Sequence, residues 1–147
     1  MEDKSNAIAP AYIAGLIDGE GCFSIDVQYS KNRKNRYFYL RLRIVLSEKD
    51  KDVLFMLQNN FGGNLNFRDI SKSKNWRLHN TNNQWEYCLK GHKLISFMRD
   101  IEKHLIIKKE VWSKAKKLFL LYEDGYDRNK IDILRKNING GRKGRNI

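Results

Sequence analysis

The chain has 147 residues, with 29 Lys and Arg against 17 Asp and Glu, a net charge of +12 and a pI near 9.8. That length predicts a single domain over residues 1–147 with chain enough for a real core, and the charge predicts a polyanionic partner. Cys22 and Cys88 alone make neither a disulfide framework nor a zinc site, and no apolar run approaches the ~20 residues of a spanning helix, so a membrane is not the expected partner.

Residues 1–9 are polar and then small, and are expected to be flexible. Pro10 suits a first helical turn, and Ile13, Leu16 and Ile17 recur at helical spacing to give one apolar face. Gly15 and Gly19, four apart, share a second face from which nothing protrudes. Each interior glycine costs about 0.5–1 kcal/mol relative to alanine, a cost that a close helix partner offsets. Ala11, Tyr12, Gly15, Leu16 and Gly19 are the candidate contacts for such a partner. Glu20 falls at the helix C-terminus, where the dipole disfavours a carboxylate, and a symmetric copy would bring a second Glu20 beside it. A divalent metal resolves the conflict. Carboxylates plus the carbonyl of Gly19 are hard oxygen donors of the kind Mg²⁺ or Ca²⁺ prefers. The plainer alternative is a short buried helix that ends in a glycine-rich turn.

After Gly21 the period becomes two. Phe23, Ile25, Val27 and Tyr29 are expected to face a core, and Ser24, Asp26, Gln28 and Ser30 the opposite side. Residues 31–36, with Asn32, Arg33, Lys34 and Arg36, form a basic hairpin tip. A second strand follows with Leu40, Leu42, Ile44 and Leu46 inward and Tyr39, Arg41 and Arg43 outward. Two arginines on one strand face repel each other, so that face is expected to need anions. Ser47 is a candidate cap for a helix lined by Leu54, Leu57 and Phe61 and ended by Gly62 and Gly63. A third strand places Leu65 and Phe67 inward and Asn66 and Arg68 outward. The polar stretch 69–84 carries Lys72 and Lys74, with Trp76 and Leu78 able to make a short extra strand, and Trp85, Tyr87 and Leu89 form a fourth strand.

Leu94, Phe97, Met98, Ile101 and Leu105 follow a helical stripe. A second covering helix is expected over 107–122 and a short one over 127–136. The glycine- and arginine-rich tail, 138–147, is expected to be flexible until it meets phosphate. One twisted, four-stranded antiparallel sheet with helices on one face makes the class α+β.

The outward set Ser24, Asp26, Gln28, Ser30, Tyr39, Arg41, Arg43, Asn66 and Arg68 is rich in the groups that read base edges in a major groove. With Asn32, Arg33, Lys34, Arg36, Lys72 and Lys74 it makes double-stranded DNA the expected polyanion; an ordinary solvated sheet face is the alternative for any one residue. His79, His92 and His104 have neither mutual spacing nor cysteine partners for a metal.

The run Ile13-Ala14-Gly15-Leu16-Ile17-Asp18-Gly19-Glu20-Gly21 resembles the signature of the LAGLIDADG homing endonucleases, with departures at Ile13, Gly19 and Glu20. The resemblance extends over residues 8–122 and implies an αββαββα fold, here with a helical C-terminal extension. Single-motif chains of that family act as homodimers, so it implies a metal-dependent double-strand break in a long pseudo-palindromic DNA site. Mg²⁺ is the implied cofactor, with Ca²⁺ as a non-cleaving substitute and no small-molecule cofactor. In family terms Glu20 is the metal-ligating acid, Glu48 matches a position at the end of the second strand that contacts solvent near the metals, and Lys108 matches a catalytic lysine. Asp18 reads better as a hydrogen-bonded structural acid. Two alternatives share the fold: an RNA-binding intron maturase and a non-cleaving DNA-binding regulator. No N-terminal signal pattern is visible, so the expected setting is an organelle or a prokaryotic or phage cytoplasm rather than the secreted space.

Overall fold

The computed structural model describes residues 8–32, 34–69 and 83–139. Arg33, Lys72, Lys74, the possible strand around Trp76 and Leu78, and the tail beyond Asn139 lie outside them. The elements run α1 (Pro10–Glu20), β1 (Gly21–Tyr29), β2 (Arg36–Ser47), a 3₁₀ turn (Glu48–Asp50), α2 (Lys51–Phe61), β3 (Asn64–Arg68), β4 (Gln84–Lys90), α3 (Gly91–Met98), a second 3₁₀ turn (Glu102–His104), α4 (Lys109–Glu123) and α5 (Arg128–Asn139). Among the described residues the strands form one antiparallel sheet in the order β1-β2-β4-β3. This is the α+β, αββαββα arrangement expected, with α4 and α5 as the helical extension.

Alternation along the strands divides the sheet into two faces. Phe23, Ile25, Phe38, Leu40, Leu42, Ile44, Tyr87 and Leu89 are buried beneath the helices. Ile13 and Ile17 of α1, Leu54 and Leu57 of α2, Leu94 and Phe97 of α3 and Trp112, Leu118 and Phe119 of α4 complete one core. Aromatic pairs join the sheet to the helices, Phe23 to Trp112 with ring centroids 4.9 Å apart and Phe38 to Tyr122 at 5.2 Å, and α2 to α3, Phe61 to Phe97 at 4.8 Å. Gly62 and Gly63 end α2 with φ of 73° and 98°, conformations open to glycine and strained for other residues.

Several local expectations are corrected. Tyr29 and Phe67, placed inward by alternation, are 54% and 50% exposed, because both lie at strand ends beyond the reach of the helical layer. The stripe from Leu94 to Leu105 is buried as expected, yet the helix stops at Met98 and the chain reaches Leu105 through a turn and a 3₁₀ segment. Ser47 caps no backbone N–H; its hydroxyl lies 3.3 Å from Asp50 Oδ2.

The C-terminal helix packs on the free edge of β1. Ile131 is buried, and Arg36, at the start of β2, is held by Asp132 at 3.2 Å and Asn129 at 2.6 Å. Asn139, expected to lie in a loose tail, accepts from the backbone N–H of Ile25 at 3.2 Å and donates to its carbonyl at 3.0 Å.

Candidate active site and nucleic-acid interface

The motif run forms α1, and the helix ends where the strand begins. The N–H of Gly21 donates to the carbonyl of Ile17. A Cβ at Gly21 would stand 2.8 Å from that carbonyl oxygen, so only glycine permits so abrupt a passage from helix to strand. No such crowding applies at Gly15 and Gly19, where a Cβ would meet nothing within 4 Å. Ala11, Tyr12, Gly15, Gly19 and Glu20 are all exposed and recur along one side of the helix, whereas Leu16 is half-buried against the core.

Asp18 and Lys108 tie this helix end to the segment that opens α4. The Asp18 carboxylate accepts from the N–H groups of Ile106 at 2.8 Å, Ile107 at 3.1 Å and Lys108 at 2.9 Å. Partial burial works to raise the Asp18 pKa, but those backbone donors and the Lys108 charge outweigh it and hold the carboxyl below its usual value. Lys108 Nζ in turn donates to the carbonyls of Ile17 and Asp18, both at 2.9 Å. These acceptors are in the last turn of α1, which carries no basic residue of its own, so Lys108 supplies the cation that the helix dipole favours there. Glu20 follows on the same turn, exposed and without an ion-pair partner among the described residues.

The register brings a third candidate to this end of the sheet. Gly21 pairs with Ile44, so the last residues of β2 run past the start of β1 toward Glu48. The Glu48 carboxylate is bonded to Lys51 Nζ at 2.7 Å and to Trp85 Nε1. The bonds from Lys51 and Trp85 pull its pKa below the usual carboxylate value.

The outer sheet face carries most of the expected reading residues, though not all are free. Gln28 and Asn66 are exposed, Tyr39 and Arg43 half-buried, and Ser24 is buried at 5%. Asp26 Oδ2 lies 2.7 Å from Arg41 Nη2, so one of the two arginines expected to lack an anion has one inside the protein. Asn32 is spent on the hairpin tip, accepting from Ser30 Oγ at 2.6 Å and from the N–H of Lys34 at 3.1 Å. Lys34 itself is exposed. Arg36 is not on the reading face: it has the parity of Phe38 and Leu40 and points toward α5. Arg68 lies 3.8 Å from Glu86.

A family model described as LAGLIDADG endonuclease matches residues 13–96. The chain belongs to that family. Over 80 residues, 54% of its length, this LAGLIDADG chain is 36% identical to the probable intron-encoded endonuclease aI2 of Debaryomyces hansenii. Over 76 residues, 52% of its length, it is 36% identical to the intron-encoded RNA maturase bI4 of Saccharomyces cerevisiae. The chain spans about a tenth of each of these relatives, 10% in both cases. Among solved structures it is similar to the homing endonuclease I-CvuI in complex with the I-CreI target in the presence of Mg, with a TM-score of 0.71 and 15% identity over 93% of this chain and 83% of that one. At that identity the likeness is one of fold.

Within the LAGLIDADG chain, no group of three or more His, Cys, Asp and Glu side chains is gathered for a metal among the described residues. The donor set nonetheless suits a hard cation, since Glu20 offers an unpaired, exposed carboxylate beside the Gly19 carbonyl at a negative helix end. The outward residues of β4, Gln84, Glu86, Cys88 and Lys90, were not among the expected reading residues, although the inward alternation of Trp85, Tyr87 and Leu89 implies them. Lys90 Nζ lies 5.0 Å over the ring of Tyr39 and joins this face.

Proposed function

We propose that the chain is a site-specific, Mg²⁺-dependent DNA endonuclease that works as a homodimer. The observation that carries the reading is the exposed small-residue side of α1, which ends in the unpaired Glu20 with Lys108 fixed on the same helix end. Pairing of that side with its symmetric copy would bring two Glu20 carboxylates and two Gly19 carbonyls together as ligands for divalent cations. When bound, such cations polarise phosphate oxygens and generate a nucleophilic water.

The chain's own residues do the rest. Each protomer lays its outer sheet face along the major groove of one half-site, so a two-fold dimer selects a pseudo-palindromic target. Gln28, Tyr39, Arg41, Arg43, Asn66 and Arg68 supply donors and acceptors to base edges, while Lys34 and its basic neighbours meet phosphate. The Lys108 ammonium stabilises negative charge that develops on the scissile phosphate. Glu48, fixed by Lys51 and Trp85, keeps lone pairs with which to orient water.

The similarity to an RNA maturase supports a second reading, in which the same scaffold binds intron RNA without cutting DNA. Supercoiled plasmid carrying the native insertion site, incubated with Mg²⁺, Ca²⁺ or chelator, separates the two. Linear product in Mg²⁺ alone supports the endonuclease. Intact plasmid together with tight binding of the intron transcript overturns it.

A further inference from the structure

Asp26 and Arg41 meet diagonally across neighbouring strands, since Asp26 lies opposite Tyr39 and Arg41 opposite Ser24 in the β1–β2 register. Their side chains are 21% and 22% exposed, with 2.7 Å between Oδ2 and Nη2. The other arginines of this face are held differently. Arg43 lies between Cys22 and Cys88 in the register and has no acid paired with it among the described residues. Arg68 is 49% exposed and reaches Glu86 only at 3.8 Å. Among the described residues Arg41 alone of the three is tied to a carboxylate at short range.

The tie leaves part of Arg41's hydrogen-bonding capacity unmet. Its Nε is buried without a partner, a costly arrangement for a charged donor. Asp26 engages one nitrogen of a fork whose recognition of guanine needs two donors held in a plane. The neighbours restrict the fork further: Ser24 is buried beside it, and Tyr39 carries the Lys90 ammonium over its ring. A long side chain so confined gives up its rotamer freedom during folding and not at binding, which is the physical basis of preorganised recognition.

We propose that Asp26 is a positioning residue for Arg41, holding its guanidinium as the guanine-reading group at one defined base pair of each half-site, and does not itself contact DNA. The inference rests on the reading of the outer sheet as the DNA-binding face. It also explains an acid on a face that must approach phosphate: the charge is already matched within the protein, and the pair presents the direction of a fork more than a net charge.

The test selects bound duplexes from a library randomised over about 20 base pairs, using the full chain at fixed salt, and reads base preference by sequencing. Wild type is compared with Arg41→Leu, Asp26→Asn and Asp26→Glu. Arg41→Leu is expected to erase a guanine preference at one half-site position. Asp26→Asn should weaken the same preference by about tenfold while leaving the other positions as they were. Because Asp26→Asn leaves a half-buried charge unmatched, Asp26→Glu serves as the variant that keeps both charge and fold; displacing the carboxylate by a methylene should lower that one preference several-fold. If Arg41→Leu erases the preference but both Asp26 variants retain it, the sheet reading stands and the positioning role falls. Loss in the Asp26 variants of a cytosine preference at a different position makes Asp26 a direct reader and overturns the proposal. If wild type shows no base preference, or Arg41→Leu alters none, the DNA-reading role of this part of the sheet falls and the proposal with it.

Discussion

Lys108 and Asp18, ninety residues apart in sequence, are bonded to each other twice, with Lys108 the donor both times: its backbone N–H donates to the Asp18 carboxylate at 2.9 Å, and its ammonium donates to the Asp18 carbonyl at 2.9 Å. The start of α4 and the end of α1 are therefore one rigid unit. Whatever fixes the end of α1 in space fixes the ammonium bonded to it.

Lys108→Met should fail in two separable ways. Removal of charged hydrogen bonds to the helix end should lower stability by roughly 1.5–3 kcal/mol, read by urea denaturation. Cleavage should fall by about a hundredfold or more, as for loss of a preorganised donor to a charged transition state, with duplex affinity nearly unchanged. A variant that is less stable but cuts at the wild-type rate removes Lys108 from the chemistry.

Asp18 predicts a particular acid limb. Its folded pKa is depressed below 3.8 despite the opposing effect of burial, because three backbone donors and Lys108 favour the carboxylate. The unfolded chain therefore binds the proton more readily. The stabilisation is complete above the unfolded value and is lost as pH falls through the folded one. Between about pH 5 and pH 2 wild type should lose more unfolding free energy than Asp18→Asn, which has no proton to take up there. Parallel stability curves across that window would show that the carboxylate is not held as described.

Glu20→Gln should abolish cutting in Mg²⁺ while the protein folds and binds duplex with nearly unchanged affinity, because the side chain is exposed and has no ion-pair partner among the described residues to lose. Single-turnover cleavage and equilibrium binding on the same duplex separate the two effects. Residual cutting at the wild-type rate would refute its role as ligand.

Gly15→Ala predicts opposite signs for protomer and dimer. The new methyl meets nothing within 4 Å in the protomer, and replacing an interior helical glycine by alanine favours the helix by about 1 kcal/mol. Two helices that touch through their glycines cannot accept it so readily. Sedimentation should show weakened self-association, and the protomer's melting temperature should rise. Undiminished association would mean that the dimer, if any, uses another surface.

The elements that alternation and helical spacing mark out, from Pro10 to Tyr122, were legible because their apolar residues bury in one core; Phe23, Leu40, Leu42, Leu54 and Leu94 all do so. What escaped was decided by contacts between distant segments. Nothing local in Arg36 says that Asp132 and Asn129 will hold it on the inner face, and nothing in Asp26 says that Arg41 will be its partner and not a base. The end of α3 at Met98 was hidden because the stripe continues through a turn that keeps Ile101 and Leu105 buried. Glu20 stood out by its place at a helix C-terminus and Lys108 through motif resemblance, whereas the hydrogen bonds that tie Lys108 to the motif helix could be seen only in three dimensions.

The bond pair from Asn139 to Ile25 has a consequence for handling the protein. A single side-chain amide there stands in for the peptide group of an absent neighbouring strand, and so occupies a place at which another polypeptide could add by strand-to-strand association. Shortening the chain ahead of α5 would uncover that place along β1, and the shortened molecule should aggregate at concentrations where the longer one remains dispersed.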